Sequence, residues 1–232
     1  MKGQEWYQAD DVAEAYDDKR FSGGGQLIDR REKDAVLAAL GPLEGQRILE
    51  IACGTGRFTA LLADQGAEVV GIDISEPMLR QGRRKAGPDS TAQFIRGDAS
   101  RLPFPDDHFD AVVAMRFFHL AEDPHAFLAE MCRVSSDQIV FDTFNRTSTR
   151  SIYNWALPMG SRLYSRGDVE TLLRSHDLTL EDVRDDFLFP YGLYRILPGV
   201  IARGIYRADR FGGRLPVLSR LASVSTWNTR VR

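Results

Sequence analysis

From Arg47 onward the chain alternates two kinds of segment, and this alternation constrains its fold more than any other feature. Ile48-Leu49-Glu50-Ile51, Val69-Val70-Gly71-Ile72, Ala92 to Ile95, Ala111-Val112-Val113-Ala114 and Gln138-Ile139-Val140-Phe141 are short, mostly apolar runs that read as strands. Helical spacing fills the intervals. Phe58, Leu61 and Leu62 recur before a terminating Gly66, and Ser75 caps a helix with Pro77 in its first turn. Asp123-Pro124 opens another helix, with Phe127, Leu128 and Met131 on its buried face. Strands this apolar are covered on both faces, and the alternating helices supply the cover. The chain is therefore expected to form an α/β fold, an open, mostly parallel seven-stranded sheet with helices on both faces.

The flanks depart from this rhythm. Asp10 to Leu40 reads as helical, with a hinge at Gly23-Gly24-Gly25 and a stop at Gly41-Pro42. After Asn145 the alternation weakens. Asn145 to Arg166 reads as a loop and short helix, Asp168 to Arg174 as a helix, and Leu178 to Leu188 as the sixth strand. Pro190 to Pro216 reads as a helical insertion near the ligand end of the sheet, before a last strand in Leu221 to Val231. The length of 232 residues suits one domain. Its expected parts are an N-terminal helical cap (1–45), a cofactor-binding core (46–145) and an acceptor-side region (146–232) with a helical lid at about 190–216.

The most specific local signal is Glu50-Ile51-Ala52-Cys53-Gly54-Thr55-Gly56-Arg57, set between a strand and a helix. Gly54 and Gly56 let the backbone turn tightly and approach a ligand without a Cβ in the way. Backbone N–H groups and the helix N-terminus are expected to face that ligand. Asp73, about twenty residues on at the next strand end, can accept both hydroxyls of a ribose. A dehydrogenase fingerprint needs a third glycine where Thr59 stands, and a P-loop needs Gly-Lys-Ser/Thr; neither is present. Glu50 would repel a pyrophosphate but suits a ligand with a positive amino group. S-adenosylmethionine, with an ammonium and a sulfonium, meets that requirement.

At these residues the chain resembles the class I methyltransferases, specifically the small-molecule group that includes the ubiquinone and menaquinone methyltransferases. Glu50-Ile-Ala-Cys-Gly-Thr-Gly matches the family's first motif, with Ala52 in place of a frequent glycine, and Gly71-Ile72-Asp73-Ile74-Ser75 matches the second. Gly97-Asp98-Ala99, followed by Leu102-Pro103-Phe104 and Phe109-Asp110, matches the third and fourth. The resemblance covers about Gln46 to Val140. It implies that Glu50, Ala52, Gly54 and Gly56 hold the methionine part of S-adenosylmethionine and that Asp73 binds its ribose. By the same resemblance Ile74 and Met78 pack on the adenine, Asp98 and the Ala99 N–H bind its edge, and Met115 lies beside the sulfonium. Tyr16 and Arg20-Phe21 look like the segment that closes over the cofactor, with Arg20 able to pair with its carboxylate.

The acceptor is less legible. A hydroxyl or carbon acid acceptor needs a base, and His119 in Arg116-Phe117-Phe118-His119 is the leading candidate, with Asp142 and Asn145 also expected to face the cleft. Phe117, Phe118, Phe144 and Tyr153 are candidates for an apolar acceptor pocket. O-, N- and C-methylation all stay open at this level, as does oligomeric state. A non-catalytic S-adenosylmethionine-binding protein or sensor is the rival reading.

Composition removes other classes. A net charge of −3 and a pI near 5.8 argue against a nucleic-acid partner, and the catalytic Pro-aromatic motif of base-modifying enzymes is absent after the fourth strand. Two cysteines and four histidines without metal-ligand spacing point to no metal and to a reducing, cytoplasmic setting. No stretch is apolar enough to span a membrane, and Met1 to Asp10 lacks a signal-peptide core. One asymmetry stands out: from Arg195 to Arg232 eight arginines face a single acid, Asp209. That segment reads as a lid and final strand with a solvated basic face, as a patch for peripheral contact with an anionic membrane that presents a lipid-like acceptor such as a quinone, or as a nucleic-acid surface.

Overall fold

A computed structural model describes residues 7–87, 90–151, 161–189, 191–212 and 221–232. Its strands form one seven-stranded sheet in the order β3-β2-β1-β4-β5-β7-β6. The first five are β1 (Arg47–Ile51), β2 (Glu68–Asp73), β3 (Gln93–Arg96), β4 (Phe109–Ala114) and β5 (Ser135–Phe144), and they pair in parallel. β7 (Val224–Arg230) is antiparallel to both its neighbours, β5 and β6 (Thr179–Asp186).

Two cores explain the apolar strands. On one face Leu49, Ile51, Val112, Ala114, Ile139, Phe141 and Trp227 pack with α5 (Pro124–Val134) and α6 (Arg166–Arg174). On the other, Ile48, Val69, Ala111, Val113 and Val140 pack with Val36 and Leu40 of α2 (Gly25–Leu40) and with Phe58 and Leu62 of α3 (Arg57–Ala63). Alternate residues of one strand thus enter different cores. Cutting a fully buried leucine such as Leu49 to alanine is expected to cost about 2–5 kcal/mol.

The helix starts follow local chemistry. The Ser75 hydroxyl accepts from the Met78 N–H at the head of α4 (Glu76–Ala86), and Asp123 accepts from His125 and Ala126 at the head of α5. At the N-terminus, α1 (Asp10–Phe21) lies against α4, joining Val12 and Ala13 to Met78. The Gly23–Gly25 run is more than a hinge. A Cβ on Gly24 would stand 1.8 Å from the Tyr194 carbonyl oxygen, so the start of α2 sits directly on α7 (Tyr191–Ile196).

The helical insertion is α7 followed by α8 (Gly199–Gly212). Ala202, Tyr206 and Asp209 form the inward face of α8. Tyr206 joins Ile28, Phe144, Phe187, Tyr194 and Val224 in a third core at the ligand end of the sheet. The rest of the expected insertion, Pro190 and 213–216, lies outside the described residues, as does Tyr153. Among the described residues no helix is long and apolar enough to cross a membrane.

Candidate cofactor and acceptor cleft

The turn between β1 and α3 concentrates backbone strain. Ala52, Gly54 and Gly56 all have positive φ, at 53°, 56° and 72°. Glycine takes these angles freely, whereas alanine at φ 53° costs about 1–2 kcal/mol. The two glycines do different work. A Cβ on Gly54 would meet nothing within 4 Å, so the space beside it is open. A Cβ on Gly56 would lie 2.5 Å from the Phe94 ring, so Gly56 serves the packing of α3 on β3 and is not among the residues lining the cleft. The loop amides also differ from expectation: the Gly54 N–H donates to Asp73 Oδ2 at 2.8 Å, and the Gly56 N–H to the Cys53 carbonyl at 2.9 Å.

The open space belongs to a cleft of about 950 Å³, measured out to its mouth, over the carboxyl ends of β1, β2 and β4. Glu50, Ala52, Gly54 and Asp73 line one part, Ile74 and Met78 a second, and Met115, Phe117, Leu120, Ala121 and Phe127 an apolar third. Tyr7 and Tyr16, set edge to face at 6.0 Å, close it from the N-terminal side. The Ser75 hydroxyl holds the Tyr7 carbonyl at 2.6 Å, and Thr55 reaches Asp17 of α1 at 2.7 Å. The strand–loop–helix thus grips the segment that covers it.

The acids of the cleft are unusually placed. Glu50 is buried and bonded by Thr59 through its hydroxyl and its backbone N–H, and burial lifts its pKa to about 7 against the pull of Thr59 and Arg57. Asp73 accepts from Gly54 and Ser75 N–H groups, and burial raises its pKa also. Beneath them runs an ion-pair web. Arg57 holds Asp29 and Glu32 of α2, and Glu32 holds Arg116, whose N–H donates to the buried Asp142. Burial lifts Asp142 to about 6 despite Arg116.

Several expected site residues lie elsewhere. Asp98 is exposed and turns onto Ser100, accepting from its N–H and hydroxyl at 2.8 Å each. Ala99 packs beside the core, and neither residue lines the cleft. Arg20 lies over the Tyr16 ring and lines an adjoining cavity of about 330 Å³ with Phe21, Arg116 and Arg195. His119 lines neither space. Its ring rests on Phe144, 4.7 Å between centroids, and burial together with Arg116, Arg150 and Arg20 holds its pKa well below the usual value. Asn145 faces away, bonded to Ser225 and the Ala222 carbonyl. Phe118 and Phe144 are core residues; of the expected aromatic pocket, Phe117 lines the cleft. Tyr7, Leu120, Ala121 and the Arg57–Glu32–Arg116 web went unread in the sequence.

The profile of a methyltransferase domain matches residues 49–138. A demethylmenaquinone methyltransferase from Clavibacter sepedonicus is 40% identical over 134 residues, 57% of this chain but only about half, 54%, of its own length. A demethylmenaquinone methyltransferase from Beutenbergia cavernae is 43% identical over 95% of this chain and 91% of its own. The chain belongs to the class I S-adenosylmethionine-dependent methyltransferases. A magnesium protoporphyrin IX methyltransferase from Synechocystis PCC 6803, solved with S-adenosylhomocysteine, shares the fold of this methyltransferase at a TM-score of 0.73. It is 14% identical and covers 100% of this chain and 99% of its own.

Class membership makes S-adenosylmethionine the methyl donor. The residues of this methyltransferase fit that donor. Glu50 is a buried carboxylate facing a cleft, with no ion pair among the described residues, and an entering ammonium or sulfonium would relieve it. Gly54 leaves open the volume that a side chain would fill.

Proposed function

We propose that this chain methylates a quinol-type ring, taking the methyl group from S-adenosylmethionine bound in the cleft. One observation carries the reading: the polar end of the cleft, Glu50 and Asp73, runs directly into an aromatic and aliphatic end, Met115, Phe117, Leu120, Ala121 and Phe127. The demethylmenaquinone methyltransferases to which the chain is similar act, by their names, on an acceptor of that kind.

Residue roles follow from placement. Glu50 binds the cationic part of the donor and Asp73 its ribose, while Ile74 and Met78 pack against the adenine. Met115 stands at the junction of the two ends, where the methyl group passes. Tyr16 closes the cleft, and Arg20 takes the donor carboxylate from the adjoining cavity. Asp98 and Ala99 keep the adenine edge: Ser100 donates twice to Asp98 Oδ1 and so orients the carboxylate, leaving Oδ2 to accept from the adenine amino group. Bound S-adenosylmethionine supplies an activated methyl, so the protein's task is to position and desolvate. His119 stays uncharged at neutral pH and is the proposed proton acceptor, standing behind the cleft wall on Phe144 and not on the cleft lining itself. Burial, and after it Arg116, Arg150 and Arg20, weakens His119 as a base.

Cytoplasmic placement and peripheral membrane contact through the arginine-rich C-terminal segment belong to the same proposal. Calorimetric titration with S-adenosylmethionine and S-adenosylhomocysteine tests the donor site, with Asp73→Ala as control. Micromolar binding that the control loses, followed by methylation of a quinol, is the expected result. Binding without turnover on quinols and phenols would favour the sensor reading. His119→Ala is expected to lower turnover far more than donor affinity, and unchanged turnover would remove His119 from the mechanism.

A further inference from the structure

Among the described residues, all five exposed large apolar side chains fall in one stretch: Phe189, Ile196, Val200, Ile201 and Leu221. Ile196 and Val200 are 79% and 73% exposed, and with Ile201 they form one local cluster. They sit at the α7–α8 junction, and Arg195, Arg203 and Arg207 are exposed beside them. The only acid of α7 and α8 is Asp209. It is buried and spent on the Leu188 N–H and the Tyr194 hydroxyl, so α7 and α8 themselves present no exposed acid among their described residues. The chain as a whole is acidic, at −3, which makes this face a local exception.

We propose that this face docks the chain on an anionic lipid surface, with Ile196, Val200 and Ile201 entering the interface and Arg203 and Arg207 meeting the headgroups. Apolar side chains flanked by arginine, with no acid among them, are the composition of a helix that lies in a bilayer interface. Charge complementarity selects anionic lipid over neutral lipid. The arrangement has a consequence for the cleft. Arg195, beside Ile196, lines the cavity that adjoins the cofactor cleft and shares Tyr16, Arg57 and Arg116 with it. Docking through Ile196 therefore brings that cavity close to the lipid, the source of an apolar acceptor. This purpose rests on the quinol reading; the docking itself is measured without any acceptor.

The test is co-sedimentation of the full chain with phosphatidylcholine vesicles, with and without a quarter of phosphatidylglycerol, at low and high salt. Binding is expected on the anionic vesicles at low salt and not on the neutral ones, with loss at high salt. Arg203→Gln with Arg207→Gln is expected to weaken partitioning about 25-fold, at roughly fivefold for each cation near an anionic surface. Val200→Ser with Ile201→Ser is expected to weaken it about tenfold or more, from lost apolar insertion. Unchanged S-adenosylmethionine titrations show that each variant still folds. No binding to anionic vesicles at low salt, or equal binding to neutral ones, overturns the proposal. So does concentration-dependent self-association abolished by Val200→Ser with Ile201→Ser, which would make a second copy the occupant. Failure of S-adenosylmethionine to bind the wild-type chain would instead strike the methyl-transfer reading, leaving the docking result to stand on its own.

Discussion

Glu50 couples the cleft to protons. Its carboxyl titrates near 4.5 when solvated and near 7 when folded, so the folded chain holds a proton the unfolded one releases. Stability from this group therefore falls as pH rises from about 4.5 to about 7, and Asp142, lifted to about 6, adds a loss of the same sign. Denaturant melts at pH 5 and pH 7.5 are expected to show this slope, reduced in Glu50→Gln. A cationic ligand draws the pKa back down. Donor affinity is thus expected to rise between pH 6 and pH 8 and binding to release a proton, seen as a buffer-dependent heat in calorimetry; Glu50→Gln should bind weakly and without that heat. The loop glycines give a paired expectation. Gly54→Ala adds a methyl into open cleft and should lose donor affinity beyond its stability cost of about 1–2 kcal/mol for the backbone angle. Gly56→Ala drives a methyl into Phe94 and should mainly lower the melting temperature. Sequence motifs marked Glu50, the glycines and Asp73 because their chemistry follows from residue type and strand position. They could not separate the tasks of the two glycines, which depends on Phe94, nearly forty residues away. Nor could they show that Ser100 donates twice to Asp98 Oδ1.

At the scale of elements, the web from α2 through Arg57 to Arg116 joins the N-terminal helices to the glycine turn. Glu32 is its hub and is nearly inaccessible. Glu32→Gln leaves two guanidiniums short of a charge and is expected to cost about 3–5 kcal/mol, read by denaturant unfolding. Gly24→Ala sets a methyl against the Tyr194 carbonyl and is expected to loosen α2 from α7, raising hydrogen exchange in both helices. The positions of β1 to β5 were legible because each is a short apolar run between segments of helical spacing or turn residues. β5 runs to Phe144, three residues past its expected end, because β7 pairs with it from Gln138 through Phe144. No local signal in Asp142-Thr143-Phe144 carries that pairing. The Arg57–Glu32–Arg116 web was illegible for the same reason: its members are far apart in sequence and meet only through packing.

For the whole molecule, donor binding should register as global stability, since a ligand specific for the folded state adds about 2.7 kcal/mol at 100 times its dissociation constant. A rise in melting temperature with S-adenosylmethionine but not with NAD would show that the cleft discriminates as the missing third glycine implies. The overall α/β layout was readable from alternation alone. The place of the last strand was not, because pairing order is a property of three dimensions. That order has a bearing on how the chain is made. β7 lies between β5 and β6 yet is synthesised after β6 and the whole α7–α8 segment. While a ribosome is still adding those residues, β5 presents a bare edge and β6 has no neighbour to join. The growing chain must keep both from pairing with other chains until β7 arrives, which makes the interval between Asp186 and Val224 the period of greatest exposure to aggregation and of greatest use for a chaperone.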